Sequence, residues 1–162
     1  MENSVSVSFE LNGKKENVNI KANKRLVDLL REEFKLTGAK EGCGEGECGV
    51  CTVIMDGEIV NSCLVLASQV EGSKITTIEG LSQGNELHPL QETFLEHGAV
   101  QCGFCIPGMI LAAKALLDKN PAPEEEEIKD QLSGNLCRCT GYQKIVSAVK
   151  EASKRLKTGM DA

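Results

Sequence analysis

Residues 41–53 read Glu41-Gly42-Cys43-Gly44-Glu45-Gly46-Glu47-Cys48-Gly49-Val50-Cys51-Thr52-Val53, and Cys63 stands eleven intervening residues beyond Cys51. The opening C-x4-C-x2-C is the plant-type [2Fe–2S] spacing. Three thiolates must converge on a compact cluster from one loop, so the backbone has to wrap it closely. Gly42, Gly44, Gly46 and Gly49 permit that curvature and let N–H groups approach the cluster sulfurs, where they offset negative charge. A zinc knot would use the same four thiolates, but it more often shows two C-x2–4-C knuckles. Disulfides require an oxidising compartment, which nothing in the chain indicates. Residues 44–49 also match G-x-G-x-x-G, yet no strand clearly feeds the motif, no helix opens from it and cysteines punctuate it, so nucleotide binding is not expected there.

A second set, Cys102, Cys105, Cys137 and Cys139, is spaced C-x2-C-x31-C-x-C. In an extended or turning segment the two-residue offset of Cys137 and Cys139 aims both thiolates one way, whereas on a continuous helix it does not. Residues 135–141 are therefore expected as a loop between helices, facing the turn at 101–107. Arg138, between two candidate ligands, either offsets cluster charge or is an ordinary surface arginine. The eight cysteines thus form two sets of four, each suited to one [2Fe–2S] cluster. Four thiolates around such a core carry a net charge of about −2, so the loaded chain is more acidic than its formal −6.

Composition agrees. Eight cysteines stand against four Phe, one Tyr and no Trp in 162 residues, so two halves of roughly 80 residues have few large side chains to bury and need a staple, which metal supplies. The negative charge argues against a nucleic-acid-binding surface. No apolar run approaches the ~20 residues of a membrane span. The start at Met1–Val5 lacks a basic and apolar leader, so a cytoplasmic location is expected.

The periodicity changes along the chain. Val5, Val7, Phe9 and Leu11 alternate with Ser4, Ser6, Ser8 and Glu10 as a half-buried strand, Asn12-Gly13 is a hairpin turn, and Val18 and Ile20 continue the alternation. Leu26, Leu29, Leu30 and Phe34 predict one amphipathic helix over 24–35. Residues 51–55 and 58–60 flank a second turn at Asp56-Gly57, and residues 74–78 read as a last strand. Residues 1–80 are therefore a small mixed sheet with one crossing helix, and the polar, glycine-bearing stretch 79–85 marks a boundary. Beyond it the period is helical: Leu87, Leu90 and Phe94 on one helix, Ile106 to Leu117 on a longer one closed by Asn120-Pro121, a helix start at Pro123 and Glu124–Glu127, and Ile145 to Leu156 on the last. His88 and His97 lack the spacing of a zinc hydrolase and read as cap or surface residues. No nucleophile elbow, P-loop or paired carboxylate has supporting context, so no catalytic residue is expected.

Three segments together carry a resemblance: residues 41–53 quoted above, Gln101-Cys102-Gly103-Phe104-Cys105-Ile106-Pro107-Gly108-Met109, and Gly134-Asn135-Leu136-Cys137-Arg138-Cys139-Thr140-Gly141-Tyr142. From about residue 4 to residue 157 the chain resembles the small iron–sulfur subunit of the molybdenum hydroxylases, the family of xanthine dehydrogenase, aldehyde oxidoreductase and carbon monoxide dehydrogenase. Ile106 stands where many relatives have threonine, but no cysteine is missing. The resemblance implies an α+β fold: an N-terminal β-grasp, plant-type ferredoxin-like domain over residues 1–80, then an all-α four-helix domain over 81–162, each with one [2Fe–2S] cluster. It implies a large partner subunit with a molybdenum–pterin cofactor and a middle subunit with FAD, in a heterotrimer or a dimer of heterotrimers. It places the helical-domain cluster nearest the pterin, with Gln101 hydrogen-bonded to the pterin and Cys139 at the pterin-facing edge. The expected role is an electron-transfer subunit. The alternatives are a free-standing ferredoxin-like carrier, against which the helical half argues, and a structural two-zinc protein.

Overall fold

In the computed structural model, which describes residues 4–82, 84 and 86–160, the first alternating segment is strand β1 (Ser4–Leu11), paired antiparallel with β2 (Lys14–Lys21). Val7, Phe9 and Leu11 face the core and the serines face out. Asn12 and Gly13 both have positive φ, as the type I′ turn between twisted strands requires, and Asp56-Gly57 repeats this between β3 (Thr52–Met55) and β4 (Glu58–Asn61). Strand β5 (Lys74–Thr76) runs parallel to β1 and antiparallel to β3, giving a mixed sheet of order β2-β1-β5-β3-β4.

Two expected boundaries move. The strand predicted over 74–78 stops at Thr76, because the Asn12 side chain captures the next residue: Asn12 Oδ1 accepts from Thr77 N at 2.9 Å and Asn12 Nδ2 donates to Thr77 Oγ1 at 3.0 Å. Residues 78–80 then turn as a short 3-10 helix. The helix predicted over 24–35 is shorter and partly widened. Arg25 stays extended in a bridge to Leu66, so α1 (Leu26–Asp28) starts late and continues as a π-helical turn over Leu29–Glu33. Its pattern survives: Leu26, Leu29 and Leu30 are buried, and Phe34 meets Phe9 edge-on at 5.8 Å between ring centres.

From residue 89 onward the described chain is helical: α2 (Pro89–Glu96), α3 (Ile106–Lys119), α4 (Glu125–Leu132) and α5 (Gln143–Met160). Leu90 and Phe94 are buried on α2 as expected, but Leu87 lies before the helix and is exposed. His88 is the N-cap of α2, its Nδ1 accepting from Leu90 N at 3.2 Å, and His97 is the C-cap. Glu127 reaches back to the Glu124 N–H and caps α4. The expected boundary includes Gln83 and Asn85, and the sequence start includes Met1–Asn3; these lie outside the described residues.

The sheet and the helices are not merely tethered. Ile54 of β3 belongs to the helical core with Met109, Ile110 and Leu111 of α3, while its neighbour Val53 faces the sheet's own core with Phe9, Leu26 and Leu30. Both faces of β3 are therefore covered, which is why Val53, Ile54 and Met55 follow one another without a polar residue where β1 shows alternation. Helix α3 is buried nearly all round, between β3 on one side and the other helices on the other. The contact is tightest at three small or polar residues. Asn135, 2% exposed, donates from Nδ2 to Gly49 O at 2.8 Å and to Thr52 Oγ1 at 3.1 Å. Gly49 has φ +66, and a Cβ there would lie 2.3 Å from Gly134 O; a Cβ on Gly108 would lie 2.5 Å from Gly49 O. Asn135→Ala removes both buried hydrogen bonds, leaving Thr52 Oγ1 without its donor while Gly49 O keeps those from Thr52 N and Oγ1, and is expected to cost about 1–3 kcal/mol, lowering the calorimetric unfolding midpoint by on the order of 2–10 °C. An unchanged midpoint would remove Asn135 from the joint.

Candidate functional site

The loop from Glu41 to Cys51 is anchored at both ends. At its start Arg25 donates to both carboxylate oxygens of Glu41, at 2.9 and 2.7 Å, and to both of Asp28, at 2.8 and 2.9 Å. The pairing holds the Glu41 carboxyl below its ordinary range. Farther along, Asn61 Nδ2 donates to Gly46 O at 2.8 Å and Ser62 Oγ to Cys51 O at 2.6 Å, fixing the loop to the end of β4. Of the four glycines expected to curve the loop, Gly44, Gly46 and Gly49 have positive φ. Gly42 serves differently: a Cβ there would stand 3.0 Å from Cys48 Sγ.

Curvature turns backbone N–H groups onto the thiols. The Glu45 N–H points to Cys43 Sγ at 3.5 Å. That donor foremost, then the Cys48 thiol and the N–H groups of Cys48 and Glu47, brings the Cys43 thiol down to about 7. Deeper in, burial pushes the Cys51 thiol up to about 11, where it sits against Cys63.

The second set converges as its spacing suggested. Residues 135–141 form no helix and face residues 101–105; the turn expected over 101–107 is shorter because α3 begins at Ile106. Cys139 Sγ lies 3.6 Å from Cys102 Sγ, and Cys105 contacts Cys137. Burial pushes Cys105 up to about 12. At Cys137 burial is the largest single influence and acts upward, but the Thr140 hydroxyl and N–H, the Cys139 N–H and the Cys105 thiol together outweigh it and the thiol sits below its ordinary value. Cys139 is raised, mainly by its contact with Cys102. Gln101 is exposed beside Cys102, and Arg138 is exposed.

All eight cysteines are free thiols. They meet in four pairs, and each set has one outer and one inner pair: Cys43 with Cys48 outside and Cys51 with Cys63 inside, then Cys102 with Cys139 outside and Cys105 with Cys137 inside. Among the described residues no three Cys, His, Asp or Glu donors close around a single point. Two thiols for each of two metals, with N–H donors in the outer loop, is the donor set of a diiron rhomb rather than of one tetrahedral ion. The residues therefore fit two [2Fe–2S] clusters. Residues 44–49 form an irregular loop with no helix opening from them.

Several participants escaped the sequence reading. Arg25, Asn61, Asn135, Thr140 and Tyr142 hold the two loops, yet none has a spacing relation to the cysteines that marks its role. Only Asn135, Thr140 and Tyr142, within three residues of Cys137 or Cys139, were close enough in sequence to invite inspection.

Comparison with known proteins agrees with this geometry. A family model for a 2Fe–2S iron-sulfur cluster binding domain matches residues 9–81, and one for a [2Fe-2S] binding domain matches residues 77–150. The chain is 56% identical to the nicotinate dehydrogenase small FeS subunit of Eubacterium barkeri, over 94% of this chain and 98% of that protein. Its structure is similar to that of quinoline 2-oxidoreductase from Pseudomonas putida 86, with TM-score 0.92, 45% identity, and 96% and 98% of the two chains covered. It is equally similar to part of the aldehyde oxidoreductase from Desulfovibrio desulfuricans, with TM-score 0.92 and 46% identity, covering 94% of this chain but 17% of that longer one. Anaerobically purified protein is accordingly expected to carry about four irons and four acid-labile sulfides per chain. Zinc in their place, without visible absorbance, would reject the diiron reading.

Proposed function

The chain belongs to the small iron–sulfur subunits of the molybdenum hydroxylases, and on that footing we propose that it passes electrons singly from a molybdenum–pterin centre on a large partner subunit towards FAD, or another acceptor, on a second partner. The [2Fe–2S] clusters supply one-electron acceptors within a single chain. We assign Cys43, Cys48, Cys51 and Cys63 as the ligands of one, in a β-grasp, plant-type ferredoxin-like domain over residues 1–80. Cys102, Cys105, Cys137 and Cys139 hold the other, in an all-α four-helix domain over residues 81–162. The chain itself makes no bonds in substrate; that chemistry belongs to partner cofactors.

The observation that carries the proposal is one hydrogen bond. Leu136 N donates to Cys48 O at 2.9 Å, so a ligand of the first set is joined through its own carbonyl to the residue preceding Cys137 of the second. A short covalent route with a single hydrogen-bond step connects the two thiol sets. A free-standing carrier needs only the first set and no such joint.

The exposed outer pairs indicate where partners sit. Cys102, Cys139 and Gln101 are exposed, flanked by the exposed apolar side chains of Phe104 and Leu136. We assign this face to the pterin-bearing subunit, with Gln101 hydrogen-bonding the pterin. Cys43 is exposed on the other loop, near Leu64, which is 60% exposed and packs over Gly46. That face suits the acceptor subunit. No described helix is long and apolar enough to cross a membrane, and we place the assembly, a heterotrimer or a dimer of heterotrimers, in the cytoplasm.

Affinity purification through this chain from its native host is expected to bring down two larger chains, one with molybdenum and one with flavin. Elution of the iron-loaded chain alone would favour the free carrier. In the purified complex, Cys102→Ser or Cys137→Ser is expected to abolish flavin reduction by the complex's own substrate, while the EPR signal of the other cluster remains; full electron flow in either variant would reject the assigned path. Gln101→Ala should retain both clusters and slow electron arrival at the helical site in stopped-flow reduction. Unaltered arrival would exclude Gln101 from the pterin contact.

A further inference from the structure

The loop after Cys137 folds back on that residue through a closed set of hydrogen bonds. Cys137 N donates to the Tyr142 hydroxyl at 2.8 Å, and the same hydroxyl donates to Asn135 O at 3.4 Å. Tyr142 N donates to Thr140 Oγ1 at 3.2 Å. Thr140 N points to Cys137 Sγ at 3.4 Å, and Thr140 Oγ1 lies 3.1 Å from the same sulfur. Tyr142 adopts φ 68°, a left-handed conformation that costs a bulky residue energy and is kept only where surrounding contacts enforce it.

Counting donors settles the direction of the Thr140–Cys137 contact. A sulfur that ligates iron is a thiolate and has no proton to give. The Thr140 oxygen already accepts the Tyr142 N–H, which leaves its single O–H to donate. We propose that Thr140 is a potential-tuning residue, whose hydroxyl, oriented by the Tyr142 N–H, donates to the Cys137 thiolate and raises the reduction potential of the helical [2Fe–2S] site. The inference rests on the helical site holding the cluster assigned above. One electron entering that site adds one negative charge, shared by iron and its sulfur ligands, and no proton is taken up at Thr140. A fixed donor to sulfur is therefore stronger after reduction than before, and favours the reduced state.

No other cysteine of the second set has a described side-chain hydroxyl on its sulfur, so the effect is confined to the inner pair, Cys105 and Cys137. The residue acts through a ligand, and its signature is a potential rather than a loss of metal.

The test uses the whole complex and redox potentiometry followed by EPR, taking as the helical-site signal the one lost in Cys102→Ser. Thr140→Val keeps the side-chain shape and removes the hydroxyl. At fixed potential its ratio of reduced to oxidised helical cluster should fall on the order of tenfold, a potential lower by about 59 mV for one electron. The other cluster's potential should not move, and Thr140→Ser should restore the wild-type value. Thr140→Ala reads the same quantity with less bulk. An unshifted potential in Thr140→Val and Thr140→Ala overturns the inference, as does Thr140→Ser behaving like Thr140→Val. Loss of the cluster from both hydroxyl-free variants assigns Thr140 to cluster insertion and overturns it too. Iron and sulfide analysis of the wild type, measured separately, tests the cluster assignment itself.

Discussion

Two neighbouring carbonyls, those of Cys48 and Gly49, bear the joint on which the rest of the molecule depends. The first accepts the Leu136 N–H and the second the Asn135 side-chain amide. Neither hydrogen bond is possible unless backbone meets backbone closely, and glycine at 49 and 108 provides the room. Because Asn135 is almost wholly buried, each of its polar atoms needs a partner there. A buried amide bridging two loops specifies their relative position better than apolar packing alone, since sliding by a residue would leave it unsatisfied.

The same joint explains how a chain with five aromatic residues forms a stable interior. Its sheet and helices share β3, whose Val53 and Ile54 serve opposite cores. Helix α3 is covered over most of its surface, with Lys114, Asp118 and Lys119 as its polar edge. Two small cores thus behave as one larger interior, and the clusters complete what apolar burial leaves short.

Charge follows a matching order. In each thiol set an inner pair is buried or half-buried and an outer pair is more exposed. Burial raises the Cys51 and Cys105 thiols well above the ordinary value. Backbone N–H groups lower Cys43 instead. The outer pairs lie where partners can approach, and the inner pairs tie each site to the protein.

How much could be read from residue order is clear from particular cases. The spacing of Cys43, Cys48 and Cys51 pointed to a [2Fe–2S] cluster, because three thiols at C-x4-C-x2-C on one curved loop can converge on a compact group. Asn12-Gly13 and Asp56-Gly57 named both hairpins, since type I′ turns demand positive φ at two successive residues. The helices of the second half followed from their 3.6-residue period. Each of these is a local constraint, imposed within about ten residues. The late start of α1 and the early end of β5 were not legible, because the distant partners Leu66 and Asn12 set those boundaries. Nor could order along the chain show that Cys102 pairs with Cys139, that Asn135 closes on Gly49, or that Thr140 turns its hydroxyl to Cys137. Those outcomes depend on where the folded backbone brings atoms within hydrogen-bond range, and a hydrogen bond is specified by distances of tenths of an ångström that no spacing rule encodes.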